Sequence, residues 1–366
     1  MNRRQCLAAG TFGLSLSGWA SSGPADASPL PAKLVIGHRG ASALRPEHTL
    51  EAYARAIDDG ADAIEPDLVI TRDGVLVARH ENELSSTTNV ASKAEFAARK
   101  TTRLIDQVST TGWFTEDFTL AELQTLRARE RIPMNRPANT LFNDQFVIPT
   151  FQAVIDLAQA RTRETGRTIA IYPETKHPAY FRSIKLPLEQ RLADALAANG
   201  YRDRSAPVFI QSFEAQSLRE LRQLTGVRLV QLIAGRNKPE EVRLAGDART
   251  HTDIRSAAGL REVARHADGI GPDRSLVIAR DARNRLGTPT SLVADAHAAG
   301  LFVHPYTFRP ENPFLPADLR RGDSASPSAH GDLEAEITAF LRTGIDGFFT
   351  DDPATGRAAL DGFATR

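Results

Sequence analysis

Apolar residues along this chain fall in short runs, separated by longer stretches whose apolar positions recur at helical spacing. Strand-like runs lie at 34–36, 63–70, 168–172, 208–211, 229–233, 269–271, 301–304 and 347–350. Between most of them come amphipathic stretches at 48–57, 188–198, 215–224, 259–266, 292–299 and 333–341, and Thr150 caps a further helix. Strands alternating with helices predict a parallel sheet, and eight such units in 366 residues predict an α/β fold closed as a (β/α)8 TIM barrel. A doubly wound open sheet is the alternative, but no G-x-G-x-x-G follows the first strand.

Two stretches break the rhythm. Residues 75–80 alternate after Arg72-Asp73-Gly74, so a hairpin folds them back on 63–70. If Asp73-Gly74 is a two-residue loop, Arg72 pairs with Val75 and Asp67 with His80. Residues 84–146 are polar, with helical patterns near 91–98 and 120–129 and aromatics at Trp113, Phe114, Phe118 and Phe142. So long a stretch between a strand and its helix predicts a functional insertion inside one barrel domain. The 234–256 region is less regular, and 322–330 reads as a flexible loop.

In such a barrel the reactive residues sit where strands end, on the C-terminal face. The polar residues fall there: His38 and Arg39 inside Gly37-His38-Arg39-Gly40, then Glu65 and Asp67, Glu174 and Lys176, Gln211, His304 and Asp351. Glu65 and Asp67, two apart, share one face of their strand, and the hairpin brings His80 to the same patch. Crowded carboxylates need positive charge between them, which points to a hard divalent cation with oxygen ligands. Glu174, from the following strand, can complete a triad with them.

Composition narrows this. With 45 basic and 45 acidic residues, nothing suggests a general nucleic-acid or anionic-membrane surface. Residues 1–27 read as a twin-arginine-like export signal, from Arg3-Arg4 through a weakly apolar segment to an Ala25-Asp26-Ala27 cleavage site. The mature chain, 28–366, would be periplasmic or secreted and would lose Cys6, the sole cysteine, and with it any thiol nucleophile. No later apolar run approaches the roughly 20 residues of a membrane span. Three carboxylates with neither cysteine nor H-E-x-x-H favour Ca²⁺ or Mg²⁺ over zinc, and export favours Ca²⁺.

The segments G-H-R-G-A-S, P-E-H-T, E-P-D-L-V-I-T-R-D-G and V-L-V-A-R-H resemble the glycerophosphodiester phosphodiesterase family in its larger periplasmic form. One departure is Glu81, where that family usually has Asp after the second histidine. The resemblance implies that 84–146 caps the barrel mouth, that Glu174 is a metal ligand and that Lys176 faces substrate. It implies that His38 and His80 divide the acid and base roles, with their assignment open, and that Arg39 and Lys176 hold the phosphate. Weaker matches around Gln211 and His304 suggest substrate contacts, His304 being equally readable as a buried, hydrogen-bonded histidine. Asp351 reads as structural, and Glu47 and His48 as supports or helix openers. The expected substrates are small glycerophosphodiesters, cut to sn-glycerol 3-phosphate and an alcohol. A lipid-cleaving barrel phosphodiesterase and a non-catalytic binding module are the rivals, and homodimer formation is left open.

Overall fold

The computed structural model describes residues 27–235, 251–323 and 326–365. The expected export signal therefore lies outside the described residues except for Ala27, as do 236–250 of the irregular region.

Eight strands form a ring of parallel pairings. The first, Leu34–His38, pairs with both the second, Ala63–Glu65, and the eighth, Gly347–Thr350. The second is interrupted at Pro66 and resumes as Asp67–Ile70, while the third is Ala170–Ile171 and, past Pro173, Glu174–Thr175. Proline cannot donate to a ladder, which is why both strands break there. The two pair as Ala63↔Ala170 and again as Asp67↔Glu174. Phe209–Ser212, Arg228–Ile233, Gly269–Pro272 and Phe302–Val303 follow as the fourth to seventh strands. Backbone bonds from Asp346 N to Val303 O and from Phe349 N to Pro305 O, each 3.0 Å, tie the seventh strand to the eighth.

Helices cover the outside as their apolar stripes require. Leu50–Asp58 begins two residues later than the pattern suggests, because Thr49 is its cap and accepts from Ala52 N at 3.1 Å. Its buried face is Ala52, Tyr53, Ala56 and Ile57. Ala215–Leu224 and Leu333–Leu341 match their predicted bounds. Among the described residues no helix is long and apolar enough to cross a membrane.

The hairpin is corrected by one residue. Its register is Leu68↔Ala78, Val69↔Val77 and Ile70↔Leu76, so the loop is Arg72-Asp73-Gly74. Thr71 N donates to Val75 O, Gly74 N donates to Thr71 O, and Gly74 takes φ +83°, the three-residue loop with a glycine bulge. Asp67 consequently faces Arg79 across the ladder, Arg79 N donating to Asp67 O at 2.8 Å, and not His80.

Segment 84–146 also differs from its sequence pattern. The helix expected at 120–129 is the single turn Leu120–Leu123, held by a Thr119/Glu122 capping box. A hairpin, Thr101–Ile105 with Val108–Gly112, has no apolar alternation to signal it, because its strands are threonine-rich and mostly exposed. Its turn places Asp106 and Gln107 at positive φ.

Inside the ring, the lower interior is apolar: Leu34, Ile36, Ala63, Ala170, Tyr172, Phe209, Val230 and Phe349 pack there. Tyr172 stacks on Phe209 at 5.0 Å, and Phe302 meets Phe209 edge-on at 5.7 Å. Gly269 makes room for that ring, since a Cβ on it would lie 2.2 Å from Phe302. The polar residues lie above, where the same strands end.

Candidate active site

The first strand ends in a turn closed by Gly40 N to Gly37 O at 3.0 Å, with Arg39 at φ +59° and Gly40 at +85°. A Cβ on Gly40 would sit 2.5 Å from the Ala52 carbonyl carbon, so only glycine lets the following helix pack this closely. The left-handed backbone at Arg39 is an uncommon conformation for a side-chain-bearing residue. It aims Arg39 N at Glu65 Oε2, 2.8 Å away, and so ties the first strand's end to the second's.

Glu65, Asp67 and Glu174 converge as expected. Each offers an oxygen within 4.8 Å of the others, and all three are buried. Glu65 also accepts from Gln211 Nε2 at 2.9 Å. Asp67 Oδ2 is bonded to His48 Nε2 at 2.9 Å and lies 3.6 Å from Arg39 Nε, while Glu174 accepts from Lys176 Nζ at 2.8 Å. Asp67 Oδ1 is buried without a hydrogen-bond partner among the described residues. Burial, then repulsion from Asp67 and Glu174, holds the Glu65 carboxyl well above the usual range. Burial and Asp67 push Glu174 up to about 8 against the pull of Lys176. Asp67 is driven the other way: its burial is outweighed by Lys176 and His48. An acidic trio this crowded, with an orphaned oxygen, has the donor set of a hard divalent cation.

Both imidazoles flank this trio, each with Nδ1 bonded to a carboxylate. His38, register partner of Glu65, donates from Nδ1 to Asp351 Oδ1 at 2.5 Å, and its Nε2 lies 3.5 Å from Thr307 Oγ1. His80 Nδ1 is bonded to the adjacent Glu81, and its Nε2 faces Lys176 Nζ at 3.3 Å. His80 arrives although the expected register was wrong, because the chain leaves the ladder after Arg79. Burial, then Arg39, lowers His38 to about 4. The same two influences push His80 down, with partial solvent screening since its side chain keeps 29% exposure.

The two expected substrate contacts are placed differently, Gln211 at the trio and His304 below it. Gln211 spends its amide on Glu65 and so braces a carboxylate. His304 is placed in the aromatic layer below, bonded to Tyr172 OH at 3.0 Å and 4.6 Å from the Phe302 ring. It is the buried, hydrogen-bonded histidine of the two readings. Conversely, Asp351 touches His38 directly and is ion-paired with Arg309, whose Nε lies 3.1 Å from its other oxygen. Its place at a strand end was the available signal. Arg131 and Arg136, from 84–146, reach the site with no motif to announce them.

Residues 38–355 match the model of the glycerophosphoryl diester phosphodiesterase family. The chain belongs to this family. It is 37% identical over 330 residues to a glycerophosphodiester phosphodiesterase of Arabidopsis thaliana, covering 86% of this chain and 82% of the relative. A Haemophilus influenzae glycerophosphodiester phosphodiesterase is 31% identical over 364 residues, with 93% of each chain covered. An Oleispira antarctica phosphodiesterase, solved in complex with the product sn-glycerol-3-phosphate, shares the barrel fold. It superposes with a TM-score of 0.56 at 18% identity, covering 91% of this chain and 97% of that one.

Proposed function

We propose that this glycerophosphodiester phosphodiesterase hydrolyses small, water-soluble glycerophosphodiesters to sn-glycerol 3-phosphate and an alcohol. The observation that carries the reading is the meeting of Glu65, Asp67 and Glu174 between two carboxylate-held imidazoles, in a chain of this family. Glu65, Asp67 and Glu174 would hold a hard divalent ion, Ca²⁺ before Mg²⁺ in an exported enzyme. When bound, such a cation supplies positive charge for the phosphoryl oxygens.

The chain's own residues do the rest. Arg39 and Lys176 flank the carboxylates and neutralise the phosphate's remaining charge. His38 and His80 present Nε2 while Nδ1 is held, so one takes the attacking hydroxyl's proton and the other protonates the leaving alcohol. Both imidazoles are biased toward the neutral form without substrate. The anionic phosphate raises the affinity for a proton of whichever serves as acid. Net, one water is consumed as the bond from phosphorus to the leaving oxygen breaks.

Segment 84–146 would serve as a cover over the strand ends, supported by Arg131 and Arg136 reaching residues there. Residues 1–27, read as an export signal, would place this work outside the cytoplasm. Release of sn-glycerol 3-phosphate from glycerophosphocholine with Ca²⁺, abolished by EDTA and restored by re-addition, is the expected result. Saturable binding of glycerophosphocholine without product would overturn the reading in favour of a binding module.

A further inference from the structure

Behind each imidazole stands a carboxylate, and behind each carboxylate stands an arginine from the same segment. Glu81, bonded to His80 Nδ1, accepts Arg131 Nη1 at 3.0 Å and Nη2 at 2.6 Å. Asp351, bonded to His38 Nδ1, accepts Arg136 Nη2 on its other oxygen. Each guanidinium is also anchored at its far side. Arg131 takes Glu47 through Nη2 at 2.6 Å and Nε at 2.8 Å, and Glu47 in turn accepts Arg39 Nη1 at 3.1 Å. Arg136 takes Glu311 at 2.6 Å and the Ser42 carbonyl at 2.8 Å. A planar fork with fixed N–H directions fixes a carboxylate in plane, which a flexible ammonium does not do.

We propose that Arg131 and Arg136 are positioning residues of the acid–base pair, so that segment 84–146 sets the direction and tautomer of His80 and His38 through Glu81 and Asp351. This rests on the hydrolytic reading above. A carboxylate held by such a fork keeps its oxygen on the imidazole's Nδ1–H and leaves Nε2 toward the phosphate. With the fork gone, the carboxylate can rotate and the Nδ1–H and Nε2–H tautomers become closer in energy. The same segment that covers the site would then be part of its working geometry.

Arg131→Lys is the sharper variant, because Arg131 is partly exposed whereas Arg136 is buried. Expected for R131K is a kcat lower by about 10- to 100-fold, the range seen when the partners of site residues are removed. KM should stay within a few-fold, and the ¹⁵N shifts of the His80 ring should move from the Nδ1–H tautomer toward a mixture. In an E81Q background R131K should cost little more, since the arginine acts through that carboxylate. Arg129→Ala, which removes an exposed pair with Asp144 in the same segment, should leave kcat unchanged. An active wild type whose R131K variant keeps kcat and the His80 tautomer overturns the inference, as does a fall in unfolding midpoint alone. A wild type inactive on every glycerophosphodiester overturns the hydrolytic reading instead.

Discussion

The barrel interior has two layers built on the same strands, and each contains a buried histidine. In the upper layer His38 is bonded to Asp351, and in the lower His304 is bonded to Tyr172. Burial lowers both to about 4, so a displaced proton affinity does not by itself distinguish a working imidazole from a packed one. The partner does. A carboxylate bonded to the ring can stabilise an imidazolium as it forms, whereas His304 bonds a neutral phenol and the favourable charge of Asp346 is outweighed by burial.

The most damaging test of that contrast is a pair of substitutions. His38→Ala should lose about 10²- to 10⁴-fold in kcat while still folding, the usual scale for a missing acid or base. His304→Phe should keep kcat within a few-fold. Equal losses in both would erase the distinction between the layers.

The next test uses pH on chelated protein. Glu174 is raised from 4.5 to about 8, so the folded state keeps a proton that the unfolded chain has lost. Its stabilisation is full below about 4.5 and disappears as pH climbs to about 8. His38 acts oppositely: lowered from 6.5 to about 4, it costs stability as pH falls through that interval. Between 6.5 and 8 His38 no longer changes, while the raised carboxyls, Glu174 with Glu65 and Glu214, still do. There the unfolding midpoint of EDTA-treated protein should fall, Glu174→Gln should lessen the fall, and Ca²⁺ should raise the midpoint most at the alkaline end. A flat wild-type profile would show that the trio is not crowded without an ion.

The smallest expected effect belongs to the lower layer. Tyr172→Phe removes the phenol bond to His304 Nδ1 and should cost about 1–3 kcal/mol of stability, the penalty of an unsatisfied buried polar group. Turnover should hardly change.

What could be read in advance follows the range of each interaction. Glu65 with Asp67, and Glu174 with Lys176, lie two residues apart at the ends of apolar runs, so strand alternation alone places them together. The hairpin departs by one residue from its expected register because Asp-Gly signals a tight turn without revealing whether Gly74 forms a bulge. Asp351 reaches His38 across 313 residues, a pairing that no local pattern encodes. Arg131 and Arg136 sit where periodicity is absent, between short turns whose course depends on packing against the barrel. His304 shared its strand-end position with the working residues. Only the phenol and rings around it, distant in sequence, reveal its different part.

The proline breaks in the second and third strands have one more implication. A pyrrolidine ring fixes φ near −65° even in the unfolded chain. The imino acids at Pro66 and Pro173 therefore stiffen the backbone immediately before Asp67 and Glu174. Part of the ordering needed to aim two ligands is supplied by covalent rings. Anyone transplanting this acidic trio onto another eight-stranded scaffold should graft the rings together with the acids, or face ligands that must be immobilised afresh by each arriving ion.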